Sequence, residues 1–275
     1  MTDLVTRFAP SPNGYLHLGH AFSALTAYGL AIEASGRFLL RIEDIDIGRA
    51  RPEFEQAIYD DLAWLGIEWE KPVRRQREHF ADYEAAIARL TELGLTYPCF
   101  CTRKEIASAG AVAGPEGLVY PGTCGHLSPV ERAHRLATEP FSVRLHMREA
   151  IEQLPGTLTW HEQASGEIAA DPQILGDVVL ARKDIPTSYH ISVVVDDALQ
   201  GVNVVARGQD LYYATPVHRL LQELLGLPEP QYHHHRLIED DAGMRLAKSK
   251  GSPSLKNLRE SGQSPAAVLA ALGLK

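Results

Sequence analysis

Apolar positions along the first hundred residues follow two rhythms. Residues 4–9 form a short apolar run ending in Pro10-Ser11-Pro12-Asn13-Gly14, and residues 18–34 carry apolar side chains at helical spacing. This pattern predicts strand, turn and helix in that order. Residues 37–42 read as a second strand, and residues 52–65 and 80–93 as amphipathic helices joined by an Arg-rich link. Such alternation predicts a parallel α/β sheet.

Periodicity fades over residues 98–121, where Cys, Gly, Ala and Pro prevail, which predicts an insertion ordered by a metal or a partner. Ser128-Pro129 then opens a helix over 128–137 as N-cap and first-turn proline. Strand-like runs return at 141–145, 178–181 and 202–206. A helix is predicted over 209–225, closed by Gly226, followed by an apolar-polar run at 232–238, a Lys/Ser/Gly loop and two short helices. His233-His234-His235 alternate faces in a strand and cannot all bind one metal.

Composition narrows the function classes. The chain has 275 residues, 45% hydrophobic and 23% charged, which excludes disorder and fibrous repeats and allows one large or two modest domains. Lys and Arg number 27 against 35 Asp and Glu, so any nucleic-acid partner must meet a local basic patch. Arg74, Arg75 and Arg77 form the most basic cluster, readable as a phosphate-contacting surface or a solvated loop. The N-terminus lacks a signal-peptide pattern, and no apolar run is long enough to span a membrane. Three cysteines, two of them in Cys99-Phe100-Cys101, fit reduced thiols better than a disulfide framework. A cytoplasmic protein without a membrane partner is expected, as a monomer.

The strongest chemical signal is His17-Leu18-Gly19-His20, after a strand and turn and at the opening of a helix. A helix N-terminus offers unpaired N–H groups and partial positive charge to phosphate, and two imidazoles can donate to the same phosphates. Gly19 permits close approach of a base or ribose. Gly14 and Gly19 are spaced like P-loop glycines, but His20-Ala21 stands where Lys and Ser or Thr would be needed. His-x-Gly-His is shared by class I aminoacyl-tRNA synthetases and small nucleotidylyltransferases.

Arg7-Phe8-Ala9-Pro10-Ser11-Pro12-Asn13-Gly14 resembles the opening of the glutamyl-tRNA synthetase family. The resemblance implies that Arg7 and Ser11, with Phe8, Ala9 and Pro10 around them, hold the substrate glutamate; an arginine at a strand end is a bidentate partner for a carboxylate. Leu40-Arg41-Ile42-Glu43-Asp44-Ile45-Asp46 resembles the family's second block and implies Glu43 as the partner of the α-amino group. Asp44 and Asp46 alone read as a metal-binding pair or an acidic turn. Pro186-Thr187-Ser188-Tyr189-His190 and Arg207-Gly208-Gln209-Asp210-Leu211 also recur in family order, which implies that Tyr189 and Arg207 complete the glutamate pocket.

Arg245-Leu246-Ala247-Lys248-Ser249-Lys250-Gly251 resembles the KMSKS loop of class I synthetases, with Arg245 and Ala247 as departures. The match implies that Lys248 faces the charge building on the α-phosphate and pyrophosphate. The implied catalytic set is His17, His20 and Lys248, and the implied ATP set is His17, Gly19, His20 and Lys248, with Mg²⁺ accompanying ATP.

Cys99, Cys101 and Cys124 suggest one structural zinc. Zinc chemistry in general favours His126 as the fourth ligand. The shorter paralogues of the family resemble Cys-x-Cys followed by Tyr-x-x-x-Cys, which selects Tyr120.

The resemblance therefore implies a class I synthetase Rossmann-like nucleotide-binding fold with an inserted zinc-containing subdomain and a short C-terminal helical segment. Its expected parts are 1–97 and 176–240 for the two catalytic halves, 98–175 for the insertion, and 241–275 for the lysine loop and terminal helices. Only 27 residues follow Lys248, so the chain is similar to the short glutamyl-queuosine tRNA(Asp) synthetase group. That resemblance implies tRNA-independent activation of L-glutamate by ATP and transfer to queuosine in the anticodon of tRNA(Asp). The rivals are a synthetase-like binding or regulatory protein and a nucleotidylyltransferase acting on a small acceptor.

Overall fold

The computed structural model describes residues 3–238 and 253–274. In chain order it begins β1 (Val5–Phe8), α1 (Leu18–Glu33), β2 (Arg37–Ile42), α2 (Pro52–Trp64), β3 (Glu70–Arg75), α3 (Phe80–Glu92) and β4 (Thr96–Cys99). Next come α4 (Arg103–Ser108), β5 (Ala113–Gly114), β6 (Gly117–Leu118), α5 (Pro129–Thr138), β7 (Ser142–Leu145), α6 (Met147–Glu152), β8 (Thr159–Glu162) and β9 (Gly166–Ala169). The chain closes with β10 (Val179–Ala181), α7 (Tyr189–Leu199), β11 (Val204–Gly208), α8 (Thr215–Leu225), β12 (Gln231–His235), α9 (Leu255–Glu260) and α10 (Pro265–Ala271).

The chain divides into two compact units. The first takes the segment up to Glu78, Gly201–Asp210 and the segment from Pro230 onward. In it β1, β2 and β3 pair in parallel, with Arg7 opposite Leu39 and Arg41 opposite Arg74. β11 and β12 form a second parallel pair, with Arg207 opposite His234. Asn203 joins the two sets: its backbone N donates to the Val5 carbonyl at 3.1 Å, and its side-chain Oδ1 accepts from the Val5 N at 2.8 Å. The strand order is therefore β3-β2-β1-β11-β12, which reverses direction between β1 and β11.

Small side chains set the distance between α1 and this sheet. Ala21, Ala24, Ala27 and Ala31 are fully buried, and the buried Thr6 hydroxyl donates to the Ala27 carbonyl at 2.8 Å. At the α1–β2 turn, a Cβ on Gly36 would overlap the Leu4 carbonyl, so only glycine fits. Leu255, Val268 and Leu272 of the C-terminal segment enter the same apolar cluster as Phe8, Leu40 and Ile58.

The second unit holds His79–Gln200 and Leu211–Glu229. Its sheet β10-β7-β4 is antiparallel, and β8 and β9 also pair antiparallel, with Trp160 opposite Ile168. Tyr83 on α3 donates to the buried Asp196 carboxylate on α7 at 2.9 Å, a polar tie inside this unit.

Two expectations need correction. The Arg-rich link contains the strand β3, and the predicted helix 209–225 is a 3₁₀ segment Gln209–Ala214 followed by α8. Pro216 starts α8 because a proline lacks the N–H that a continuous helix would need there. Gly226 closes α8 in the left-handed conformation at φ 65°, as the sequence pattern requires.

Candidate active site

In open parallel sheets, ligands bind beyond the carboxyl ends of the strands where the strand order reverses. Arg7 on β1 and Arg207 on β11 stand on either side of that reversal, and both are buried. Arg7 Nη1 donates to the Ala206 carbonyl at 3.3 Å, which ties the arginine of one strand to the backbone of the other. Beyond the strand ends, the Glu43 N–H donates to the Pro10 carbonyl at 3.0 Å and brings the loops after β1 and β2 together. Phe8 belongs to the apolar core, so its contribution is to anchor the loop; Ala9 and Ser11 are half-buried and Pro10 is buried.

The fully buried Arg41 guanidinium donates through Nη2 to Glu43 Oε1 at 3.3 Å. Asp44 does not resemble a metal ligand. It accepts from the Arg77 N at 2.9 Å and pairs with Arg77 Nε at 3.2 Å, and burial raises its carboxyl above the ordinary range. Asp46 pairs with Arg49 at 2.7 Å. The acidic block therefore places Glu43 beside the strand ends and gives Asp44 and Asp46 structural partners.

His17 is the N-cap of α1, and its Nδ1 accepts from the Gly19 N at 3.1 Å. His20 Nδ1 accepts from the His17 N at 3.2 Å, which completes a reciprocal capping box built from two histidines. The rings lie 3.8 Å apart between centroids. With both Nδ1 atoms accepting, the network assigns the proton of each neutral ring to Nε2. Gly19 serves the cap directly: a Cβ there would lie 3.0 Å from His17 Cε1 and press on the ring. The start of α9 is stitched to this motif, since the Leu255 N–H donates to the Leu16 carbonyl at 2.8 Å.

Tyr189 opens α7 in the second unit, with its ring 5.4 Å from that of His218. Lys248, Arg245, Ala247 and Lys250 lie outside the described residues. The basic cluster is engaged within the first unit: Arg75 Nε donates to Glu55 at 2.6 Å, Arg77 pairs with Asp44, and Arg74 sits opposite Arg41 in the sheet. This corrects its reading as a loop between helices.

In the second unit the Sγ atoms of Cys99, Cys101 and Cys124 all lie within 4.8 Å of one another, and all three thiols are free of disulfides. Tyr120 Oη is 3.5 Å from Cys101 Sγ and accepts from the Cys124 N at 2.8 Å. His126 is exposed and outside this group. The Arg144 guanidinium stands 3.9 Å from the centre of the Tyr120 ring. Burial pushes the Cys101 thiol up to about 11, and the neighbouring Cys124 and Cys99 act in the same direction. Burial also opposes ionisation of Cys99, but hydrogen bonds from Tyr120 and Arg144 outweigh it and lower that thiol. Three converging sulfurs and a phenolic oxygen make a donor set that fits tetrahedral zinc.

Sequence reading missed Arg41 and His234. Arg207 Nε donates to His234 Nε2 at 3.2 Å across the parallel pair β11–β12. The register of the triple histidine against Arg207 was the available signal, and it becomes legible only once the strands are paired.

The family model for the catalytic domain of class I tRNA synthetases (E and Q) matches residues 3–275. A glutamyl-Q tRNA(Asp) synthetase of Rhodobacter capsulatus is 48% identical over 98% of this chain and 100% of its own length. A protein of the same name from Nocardia farcinica is 45% identical over 97% of this chain and 82% of its own. Among solved structures, a glutamate-tRNA synthetase from Elizabethkingia anophelis superposes with a TM-score of 0.81 at 25% identity; the match covers 98% of this chain and 60% of that one.

Proposed function

This chain belongs to the class I tRNA synthetases (E and Q), and on that premise we propose that it activates L-glutamate with ATP, independently of tRNA, and transfers it to queuosine in the anticodon of tRNA(Asp). The observation that carries this reading is the 48% identity to a glutamyl-Q tRNA(Asp) synthetase over essentially both whole lengths. The enzyme is a ligase that converts ATP to AMP and pyrophosphate.

An oxygen of the glutamate α-carboxylate attacks the α-phosphorus of ATP, and the bond from that phosphorus to the pyrophosphate oxygen breaks. Arg7 and Arg207 supply positive charge at the strand-order reversal for the carboxylates of glutamate, and Glu43 supplies the anion for its ammonium group. Ser11 adds a hydroxyl on the loop after β1. His17 and His20 present Nε2–H donors at a helix N-terminus, where phosphate charge is favoured, and Gly19 keeps His17 in place. Lys248, assigned by its motif, takes up charge on the departing pyrophosphate. Mg²⁺ accompanies ATP and shares the phosphate charge. The acyl-adenylate then passes glutamate to a hydroxyl of the modified base, releasing AMP.

Cys99, Cys101, Cys124 and Tyr120 would hold one zinc ion in this reading, with Tyr120 in preference to the exposed His126. The metal supplies a crosslink where little apolar core is available. Glutamate-dependent exchange of labelled pyrophosphate into ATP in the absence of RNA tests the activation half. Robust exchange with glutamate and little with glutamine is expected; no exchange, or equal exchange with both, would overturn the reading.

A further inference from the structure

Arg207 is 4% exposed and is held from two directions by β12. In the plane of its guanidinium, Nε donates to His234 Nε2 at 3.2 Å. From the face, its central carbon stands 5.3 Å from the centre of the Tyr232 ring. The rings of Tyr232 and His234 are nearly parallel, at 5° and 6.0 Å. The parallel register opposes Arg207 to His234 and Val205 to Tyr232, so the arrangement follows from strand pairing rather than from loop conformation.

We infer that His234 is a positioning residue for glutamate recognition: as a neutral acceptor on Arg207 Nε, it fixes the guanidinium plane while leaving the charge of Arg207 undiminished for a substrate carboxylate. The inference rests on the reading that Arg207 takes a carboxylate of glutamate. A bidentate arginine–carboxylate contact depends on the orientation of the guanidinium fork, so a freely rotating Arg207 would lose directional recognition. A carboxylate in place of the imidazole would hold the plane equally well but would oppose the incoming anion. An imidazole accepting at Nε2 carries its proton on Nδ1, which assigns His234 the tautomer opposite to that of His17 and His20. Tyr232 then limits tilting by stacking, with a modest cation–π attraction.

The test uses the full chain and three variants, with KM for glutamate, KM for ATP and kcat from pyrophosphate exchange. His234→Phe keeps a ring but removes the acceptor, and should raise KM for glutamate about tenfold while leaving KM for ATP within about twofold. His234→Gln restores a neutral acceptor and should recover most of that loss. His234→Glu should be worse than Phe, because its charge competes with the substrate. A packing role alone would give the opposite order, with Phe better than Gln and with glutamate and ATP parameters falling together. That order would overturn the proposal.

Nitrogen NMR of the imidazoles provides a readout independent of turnover, with His234 Nε2 expected to be unprotonated at neutral pH. A proton on Nε2 would overturn the positioning role while leaving the proposed reaction standing. A wild-type protein that exchanges pyrophosphate without any dependence on glutamate would instead remove the underlying reading, and the recognition role with it.

Discussion

The two compact units organise their functional side chains in opposite ways. In the first, Arg7 meets the carbonyl of Ala206 from 199 positions away along the chain, and Arg207 meets His234 across a strand pair. These contacts exist because an extended apolar core holds parallel strands in register. In the second, Cys99, Cys101, Tyr120 and Cys124 converge within a short stretch of chain, and neither α4 within it nor α5 just after it contributes a buried residue. Burial can position a site where there is enough apolar surface; elsewhere a donor set must do it.

The most damaging way to challenge this contrast is to remove a charge from the core-built site. Arg7→Ala should cut kcat/KM for glutamate by about a hundredfold or more, since a buried charged group that meets a carboxylate is lost. Steady-state exchange kinetics check this, and KM for ATP should move far less. A drop of less than about threefold would detach Arg7 from glutamate.

The donor-built region should fail differently. Cys124→Ser should abolish bound zinc, measured by elemental analysis against one equivalent in the parent, and should lower Tm by several degrees. Hydrogen exchange should rise mainly over residues 99–126, with β1 and β2 remaining protected. A parent protein free of zinc after metal-replete purification, or a variant as stable as the parent, would break the comparison.

The smallest expected effect sharpens the picture of the apolar unit. Asp61 on α2 is fully buried, with Oδ1 accepting from Arg259 of α9 at 3.2 Å. Burial raises its carboxyl from 3.8 to about 6, with Arg259 opposing. Because the folded pKa is the higher one, the unfolded chain releases this proton first, and stability falls as pH rises from about 4 to about 6. The loss is at most about 3 kcal/mol. Asp61→Asn does not titrate, so its stability relative to the parent should improve between pH 4 and pH 7, measured by urea unfolding at each pH. An unchanged or reversed difference would show that the pair with Arg259 dominates.

Sequence patterning reached the parallel strands and α1 closely because their burial is nearly continuous. The strand Arg37–Ile42 and the helix Leu18–Glu33 follow directly from that signal. β3 escaped it because Glu-Lys-Pro-Val-Arg-Arg is polar and lies at the sheet edge, where Arg75 is matched by Glu55. The run Val193-Val194-Val195 has strand-like composition but lies in α7, buried on several sides within its unit. Motif resemblance singled out Arg7, Glu43, His17, His20 and the cysteines. It did not reveal that two histidines cap one helix reciprocally, nor that Arg41 lies under Glu43, because those relations depend on backbone geometry.

The central claim is best tested by incubating the protein with ATP, labelled glutamate and purified tRNA(Asp), with and without queuosine, alongside tRNA(Glu). The account predicts label on queuosine-bearing tRNA(Asp) alone. Label on tRNA(Glu), or equal label on tRNA(Asp) lacking queuosine, would contradict it.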